Sequence, residues 1–217
     1  MRLFIIGATG RTGSQLIRLG SERGHQLTAF VRSPHKLSDR PPNLQVVSGD
    51  PLDPLQLSAA IAGHDAVLSA LGPSPREAFR PSTLMTRAAT STVSAMAQAE
   101  VSRLAIVSAA VLFPPRGLFF TFFRWLLQHH ARDLTAMEQV VRQSPLDWTI
   151  ARPPRLVDAG PEHYVSRSGE LPQNARVMTY RALAEFMLDS VERRVHRHEV
   201  VGLGPQRDAP QWAGAAS

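Results

Sequence analysis

Three glycines spaced three apart, Gly7, Gly10 and Gly13, directly follow the short apolar run Leu3–Ile6 and open an amphipathic segment. Few chain paths accept that arrangement. It needs a strand, a turn too tight for side chains, and a helix whose first turn must lie close to something else. In Gly7-Ala8-Thr9-Gly10-Arg11-Thr12-Gly13 the helix start offers free N–H groups and the positive end of its dipole to an anion, and the glycines let a pyrophosphate approach the backbone. A plain strand-to-helix turn containing glycine is the alternative reading. The motif stands at the head of a βα pattern, where a phosphate cradle has to be, and it predicts a dinucleotide site on Gly7, Thr9, Gly10, Arg11, Thr12 and Gly13.

The rest of the chain supports the fold that such a cradle requires. Short apolar runs at Leu3–Ile6, Leu27–Val31, Leu44–Val47, Ala66–Leu71, Leu104–Val107, Trp148–Ala151 and Glu199–Gly202 read as strands. Segments with helical spacing at Gly13–Glu22, Pro54–Ala62, Thr83–Ala99 and Tyr180–Val191 alternate with them. Alternating strands and helices imply a parallel sheet with right-handed crossovers, and continuously apolar strands are those buried on both faces. The expected fold class is α/β, a doubly wound parallel sheet of Rossmann-like type. The expected organisation is one domain over residues 1–204 with a flexible tail at 205–217. Residues 157–178 lack periodicity, and the segment 153–178 is expected to form a small C-terminal region over a substrate cleft.

Composition narrows the class. With 43% hydrophobic and 19% charged residues the chain is too apolar for disorder, and the lack of cysteine excludes disulfides and thiolate metal sites. The net charge is +6, but it sits on scattered arginines, with Lys36 the sole lysine. That pattern fits one anionic ligand better than a nucleic-acid stripe. No apolar run reaches the roughly 18 residues of a membrane helix, and the run before Gly7 is too short for a signal peptide. A cytoplasmic protein with no nucleic-acid or membrane partner is expected.

The end of the second strand sets the expected cofactor. A site for NAD places Asp or Glu there to hold the ribose hydroxyls. No carboxylate occurs between Glu22 and Asp39; Arg32 follows Val31 directly, and His35 and Lys36 come next. A guanidinium there suits a 2′-phosphate, so Arg32 and Lys36 predict NADP(H).

The glycine motif, Val31-Arg32, Gly49-Asp50, Leu71-Gly72 and Asp147-Trp148-Thr149-Ile150-Ala151-Arg152-Pro153-Pro154 together resemble the atypical short-chain dehydrogenase/reductases. Within them they are most similar to the NAD(P)H-binding group that contains biliverdin-IXβ reductase, also a flavin reductase, and the NmrA-like proteins. The resemblance covers nearly the whole chain, to about Val191. It implies that Asp50 sits near the adenine, that Leu71 and Gly72 lie along the cofactor, and that Ser108 and Pro153-Pro154-Arg155 flank the nicotinamide. The chain also departs from the pattern. The Tyr-x-x-x-Lys pair of many relatives is absent, since the only tyrosines are Tyr164 and Tyr180. Arg155 stands where bilin reductases carry histidine, and Ala109 where they carry a hydroxyl.

These features predict an NADPH-dependent reductase of a small, planar, largely apolar acceptor of flavin, quinone, bilin or enone type, with Ser108 and Arg155 facing the reacting ring. A non-catalytic NADP(H) sensor of the NmrA kind, or a biosynthetic isomerase or dehydratase, are the alternatives. The aromatic run from Phe113 to Trp125 reads equally as a lid over a flat substrate or as a core or homodimer contact. His129-His130 and His196-Arg197-His198 read as surface residues, since neighbouring histidines on a helix cannot easily share an ion. Asp133 and Glu138 are expected to cap a helix or pair with arginines.

Overall fold

The computed structural model describes residues 1–72, 81–114 and 128–206 of the 217. Its strands are β1 (Arg2–Ile6), β2 (Gln26–Val31), β3 (Leu44–Ser48), β4 (Ala66–Ser69), β5 (Arg103–Val107), β6 (Asp147–Arg152), β7 (Arg155–Val157), β8 (Tyr164–Ser168), β9 (Val177–Thr179) and β10 (Glu199–Pro205). The helices are α1 (Arg11–Glu22), α2 (Pro54–Ile61), α3 (Leu84–Gln98), α4 (Gln128–Arg142) and α5 (Tyr180–Glu192).

Eight strands form the main sheet in the order β3-β2-β1-β4-β5-β6-β10-β8, and β7 pairs with β9 in a separate two-stranded ribbon. The strand order reverses direction at β1, where β2 lies on one side and β4 on the other. In such sheets this reversal opens a crevice beyond the carboxyl ends of the strands.

Each face of the sheet is covered by helices through residues that the apolar spacing selects. On one face Leu16, Ile17 and Leu19 of α1 and Leu183, Phe186, Met187 and Leu188 of α5 pack with Leu3, Ile5, Leu27 and Leu68. On the other, Leu57 and Ile61 of α2, Met85 and Met96 of α3, and Leu134, Met137 and Val141 of α4 pack with Phe4, Ile6, Val67 and Ile106. Full burial of each such side chain contributes roughly 1.5–3 kcal/mol. Gly20 lets α1 come close to its neighbours, because a Cβ there would lie 3.0 Å from the Leu27 side chain and 3.8 Å from Leu188. Arg23 then ties the end of α1 to α5 through Asp189 at 2.8 Å and Glu192 at 2.9 Å.

The structure corrects the reading of the last third of the chain. The aperiodic stretch 157–178 carries β8 and β9, and β8 adds an antiparallel edge strand to a sheet expected to be parallel throughout. Pro205, expected to begin the tail, is the last residue of β10 and pairs with Tyr164; residues 207–217 lie outside the described residues. The strand β8 is short and only half-buried, so no apolar run announces it. It is held by partners: Tyr164 donates to Asp189 Oδ2 at 2.8 Å and meets Phe186 edge-on.

Two expectations follow. A Cβ on Gly13 would lie 2.2 Å from the Gly7 carbonyl oxygen and 2.6 Å from Ala8 Cα. Gly13→Ala should therefore lower the melting temperature by about 2–12 °C, from a cost of about 1–3 kcal/mol, and an unchanged melting curve would contradict this packing. Burial, then the hydrogen bond and charge of Asp189, push the Tyr164 phenol above its ordinary range. The folded chain thus keeps that proton where the unfolded chain loses it, so stability is present below pH 10 and falls as pH rises beyond. Tyr164→Phe should cost about 1 kcal/mol at pH 7 and flatten the loss of stability between pH 9 and 11, measured by urea unfolding.

Candidate cofactor and acceptor site

The glycine loop is shaped by backbone contacts alone. Gly7 has φ +81°, and a Cβ on it would lie within 2.8 Å of Ala70 and the Leu71 nitrogen at the end of β4. The loop and the Leu71-Gly72 segment therefore meet across the β1–β4 crevice. Gly10 N–H donates to the Gly7 carbonyl at 3.0 Å, and Gly10 is the N-cap of α1. A glycine has no side chain to cap the helix, and the first turn holds no acidic residue. The first N–H groups of α1 are thus left for an external acceptor, and the helix dipole favours an anionic one.

Next to this loop is a cavity of about 270 Å³ lined by Thr9, Gly10, Arg11, Ser14, Gln15, Asp158, Tyr180 and Arg181. Arg11 donates to Asp158 at 3.1 Å, and its guanidinium lies 5.3 Å from the centre of the Tyr180 ring. Gln15 Oε1 and Arg181 Nη1 are buried without a hydrogen-bond partner. The sequence reading missed Asp158, Tyr180 and Arg181, which motif spacing does not reveal because they come from the aperiodic stretch and the start of α5.

One strand away from the loop, Arg32 follows β2 and Lys36 ends the 3₁₀ turn Pro34–Lys36. Both are exposed, and neither side chain has a hydrogen bond or ion pair with another described residue. The Gly49 N–H donates to the Val31 carbonyl at 3.0 Å, which ties the ends of β2 and β3 and brings Asp50 to the same edge. Asp50 is exposed and accepts from its own turn, at Leu52 N–H.

On the other side, two strands from β1 and so about 10 Å away, Ser108 follows β5. Its N–H donates to the Ala151 carbonyl at 2.7 Å, and Ala110 N–H donates to the Pro153 carbonyl at 2.9 Å. Ser108 and the Pro153-Pro154 turn are therefore neighbours. The Ser108 hydroxyl donates to Glu138 Oε1 at 2.7 Å, and Glu138 is held from both oxygens by Arg152 at 2.8 and 2.7 Å. Arg152 in turn lies 4.7 Å over the Phe113 ring. Arg155, in β7, is exposed and has no side-chain partner among the described residues.

Asp133 and Glu138 do what their place before β6 predicts. Asp133, buried, accepts from the N–H groups of Met85 and Thr86 and so caps α3, while Glu138 pairs with Arg152 and Arg142. Of the aromatic run only Phe113 and Pro114 are among the described residues; residues 115–127 lie outside them. Burial lowers the pKa of His130, opposed by Asp133. Among the described residues no group of three metal-ligating side chains converges, and no helix is long and apolar enough to cross a membrane.

A glycine-opened, uncapped helix at the reversal point of a doubly wound sheet defines a Rossmann-like dinucleotide-binding protein. The family model described as NAD(P)H-binding matches residues 7–194, and the chain belongs to that family. YwnB of Bacillus subtilis is 26% identical over 92% of this chain and 96% of its own length. A short-chain dehydrogenase/reductase from Veillonella parvula, solved with NADP, superposes with a TM-score of 0.77 at 18% identity, covering 97% of this chain and 98% of its own. SP1627 of Streptococcus pneumoniae, a proposed NADH-flavin reductase, gives 0.74 at 21% identity over 95% and 100%.

The residues fit the dinucleotide. Gly10 has extended φ/ψ of −81° and 167°, and a Cβ there would meet only the Gly7 oxygen, at 3.2 Å. Gly10→Val should keep the far-UV circular dichroism and lower dinucleotide affinity at least tenfold, about 1.4 kcal/mol, by calorimetry; wild-type affinity would detach the loop from phosphate binding.

Proposed function

We propose that the protein is an NADPH-dependent reductase that passes hydride to a small, planar, conjugated acceptor of flavin, quinone, bilin or enone type. The observation that carries the cofactor half is the pair of cations Arg32 and Lys36, unpartnered among the described residues and one strand from the glycine loop. In this reading the N–H groups at the start of α1 and Arg11 hold the pyrophosphate, and Arg32 and Lys36 hold the 2′-phosphate. Asp50 lies by the adenine, Leu71 and Gly72 along the cofactor, and Ser108 and Pro154 against the nicotinamide. The bound cofactor supplies a hydride to the acceptor. Arg155, without a side-chain partner among the described residues, steadies an anionic or strongly polar edge of the acceptor as charge develops on it.

The acceptor half rests on the want of a proton-delivering pair. With no Tyr-x-x-x-Lys in the chain, acceptors that take their proton from water are served better than ketones or aldehydes. The likeness to a proposed flavin reductase and to an NADP complex supports the same reading, as does an exposed Arg155 directly after Pro154.

NADPH should bind at least tenfold more tightly than NADH, a gap of about 1.4 kcal/mol, and Arg32→Ala should remove most of it. Equal affinities in the unaltered protein would overturn the cofactor assignment. NADPH oxidation against a panel of flavins, quinones and enones tests the reaction. Arg155→Ala should lower turnover of an acceptor with an anionic edge and leave NADPH affinity within about twofold. Tight NADPH binding with no turnover on any acceptor would assign the protein to the sensors instead.

A further inference from the structure

We infer that Ser108 meets the bound ligands only as a hydrogen-bond acceptor, fixed in that role by Glu138, that the group opposite it is therefore a donor, and that this donor is an N–H. The inference rests on the proposed placing of the nicotinamide beside Ser108. A hydroxyl carries one proton and two lone pairs. Glu138 has donors on both oxygens: Ser108 and Arg152 on Oε1 at 2.7 and 2.8 Å, Arg152 and Arg142 on Oε2 at 2.7 and 3.2 Å. A carboxylate so engaged only accepts, so the proton shared with Ser108 comes from the serine. Glu138 is 3% exposed and Ser108 6%, so water does not compete effectively for that bond. Turning the hydroxyl toward a ligand would break a charge-assisted hydrogen bond inside the protein.

The consequence is a polarity at the carboxyl end of β5. A carbonyl oxygen, or the alkoxide it becomes on reduction, would face lone pairs there and find no donor. An N–H would be satisfied. Two groups can bring one: the carboxamide of the nicotinamide, or a ring N–H on the edge of the acceptor. Glu138 touches neither and is a positioning residue.

The experiment compares the full-length protein with Ser108→Ala and Glu138→Gln. Affinities are measured by calorimetry for NADPH and for its acetylpyridine analogue, whose methyl ketone replaces the carboxamide and has no N–H. In parallel, kcat/KM is measured for a flavin and its N-methylated derivative. If the cofactor brings the donor, Ser108→Ala shrinks the preference for NADPH over the analogue by about three- to tenfold. If the acceptor brings it, Ser108→Ala removes a penalty of that size on N-methylation. Either result supports the inference, and a Ser108→Ala protein in which neither ratio moves overturns it. In Glu138→Gln the new amide can donate to Ser108 and free its proton, so the ratio should fall with the serine still present; a wild-type ratio there overturns the role of Glu138. Ser108→Ala removes a single oxygen and remains decisive if Glu138→Gln does not fold. Failure of the unaltered protein to bind NADPH would instead overturn the proposed function.

Discussion

The closeness of α1 to the end of β1 governs most of what this molecule can do. A Cβ on Gly13 would lie closer to the Gly7 oxygen than any real contact allows, so the helix rests on the loop through backbone atoms. That contact aims the uncapped start of α1 at the crevice between β1 and β4. It also fixes the direction in which α1 runs, and with it the groove that α5 fills. The shape of the glycine loop and the packing of one face of the sheet therefore depend on the same missing side chains. Gly10 differs: its φ and ψ are extended and open to other residues, and a Cβ there would press only on the Gly7 oxygen, at 3.2 Å.

The two ends of the crevice are built on opposite electrostatic plans. At β2 the cations Arg32 and Lys36 stand exposed, so their charge is available to a phosphate at little desolvation cost. At β5 and β6 the Glu138 carboxylate is buried and compensated by Arg152 and the Ser108 hydroxyl, with the more exposed Arg142 on its outer side. Such a cluster is costly to break, because removal of one partner leaves the others buried and unpaired. One end is arranged to attract, the other to hold a geometry.

Much of the fold was legible because both its signals are local. Leu3–Ile6 followed by the glycines places β1, the loop and α1, and continuous apolar runs at Leu27–Val31 and Leu104–Val107 place buried parallel strands. The strands β7, β8 and β9 were not legible. They are three to five residues long, and partners set far off in sequence hold them, as Asp189 and Phe186 hold Tyr164. The same division runs through the site. The position of Arg32 at the end of β2 is readable since it is counted from the glycines, whereas Asp158 reaches Arg11 across 147 residues of chain, a pairing that no spacing encodes. That Glu138 pairs with arginines could be anticipated; that Ser108 completes its coordination could not.

The covering of the sheet also bears on how the chain can acquire its structure during synthesis. The face lined by Leu3, Ile5, Leu27 and Leu68 is closed by α1 and α5, and α5 begins only at Tyr180. Arg103, buried at the start of β5, donates to Asp147 and Thr149 and also to the carbonyls of Ser190 and Val195, which arrive later still. A nascent chain that stops short of about residue 195 thus carries a half-bare sheet and a guanidinium short of some of its acceptors. Domains tend to fold as units as the ribosome delivers them. Here the unit is not complete until about residue 195 has emerged, so until then the unfinished chain exposes apolar strands and is the species most open to aggregation or to capture by chaperones.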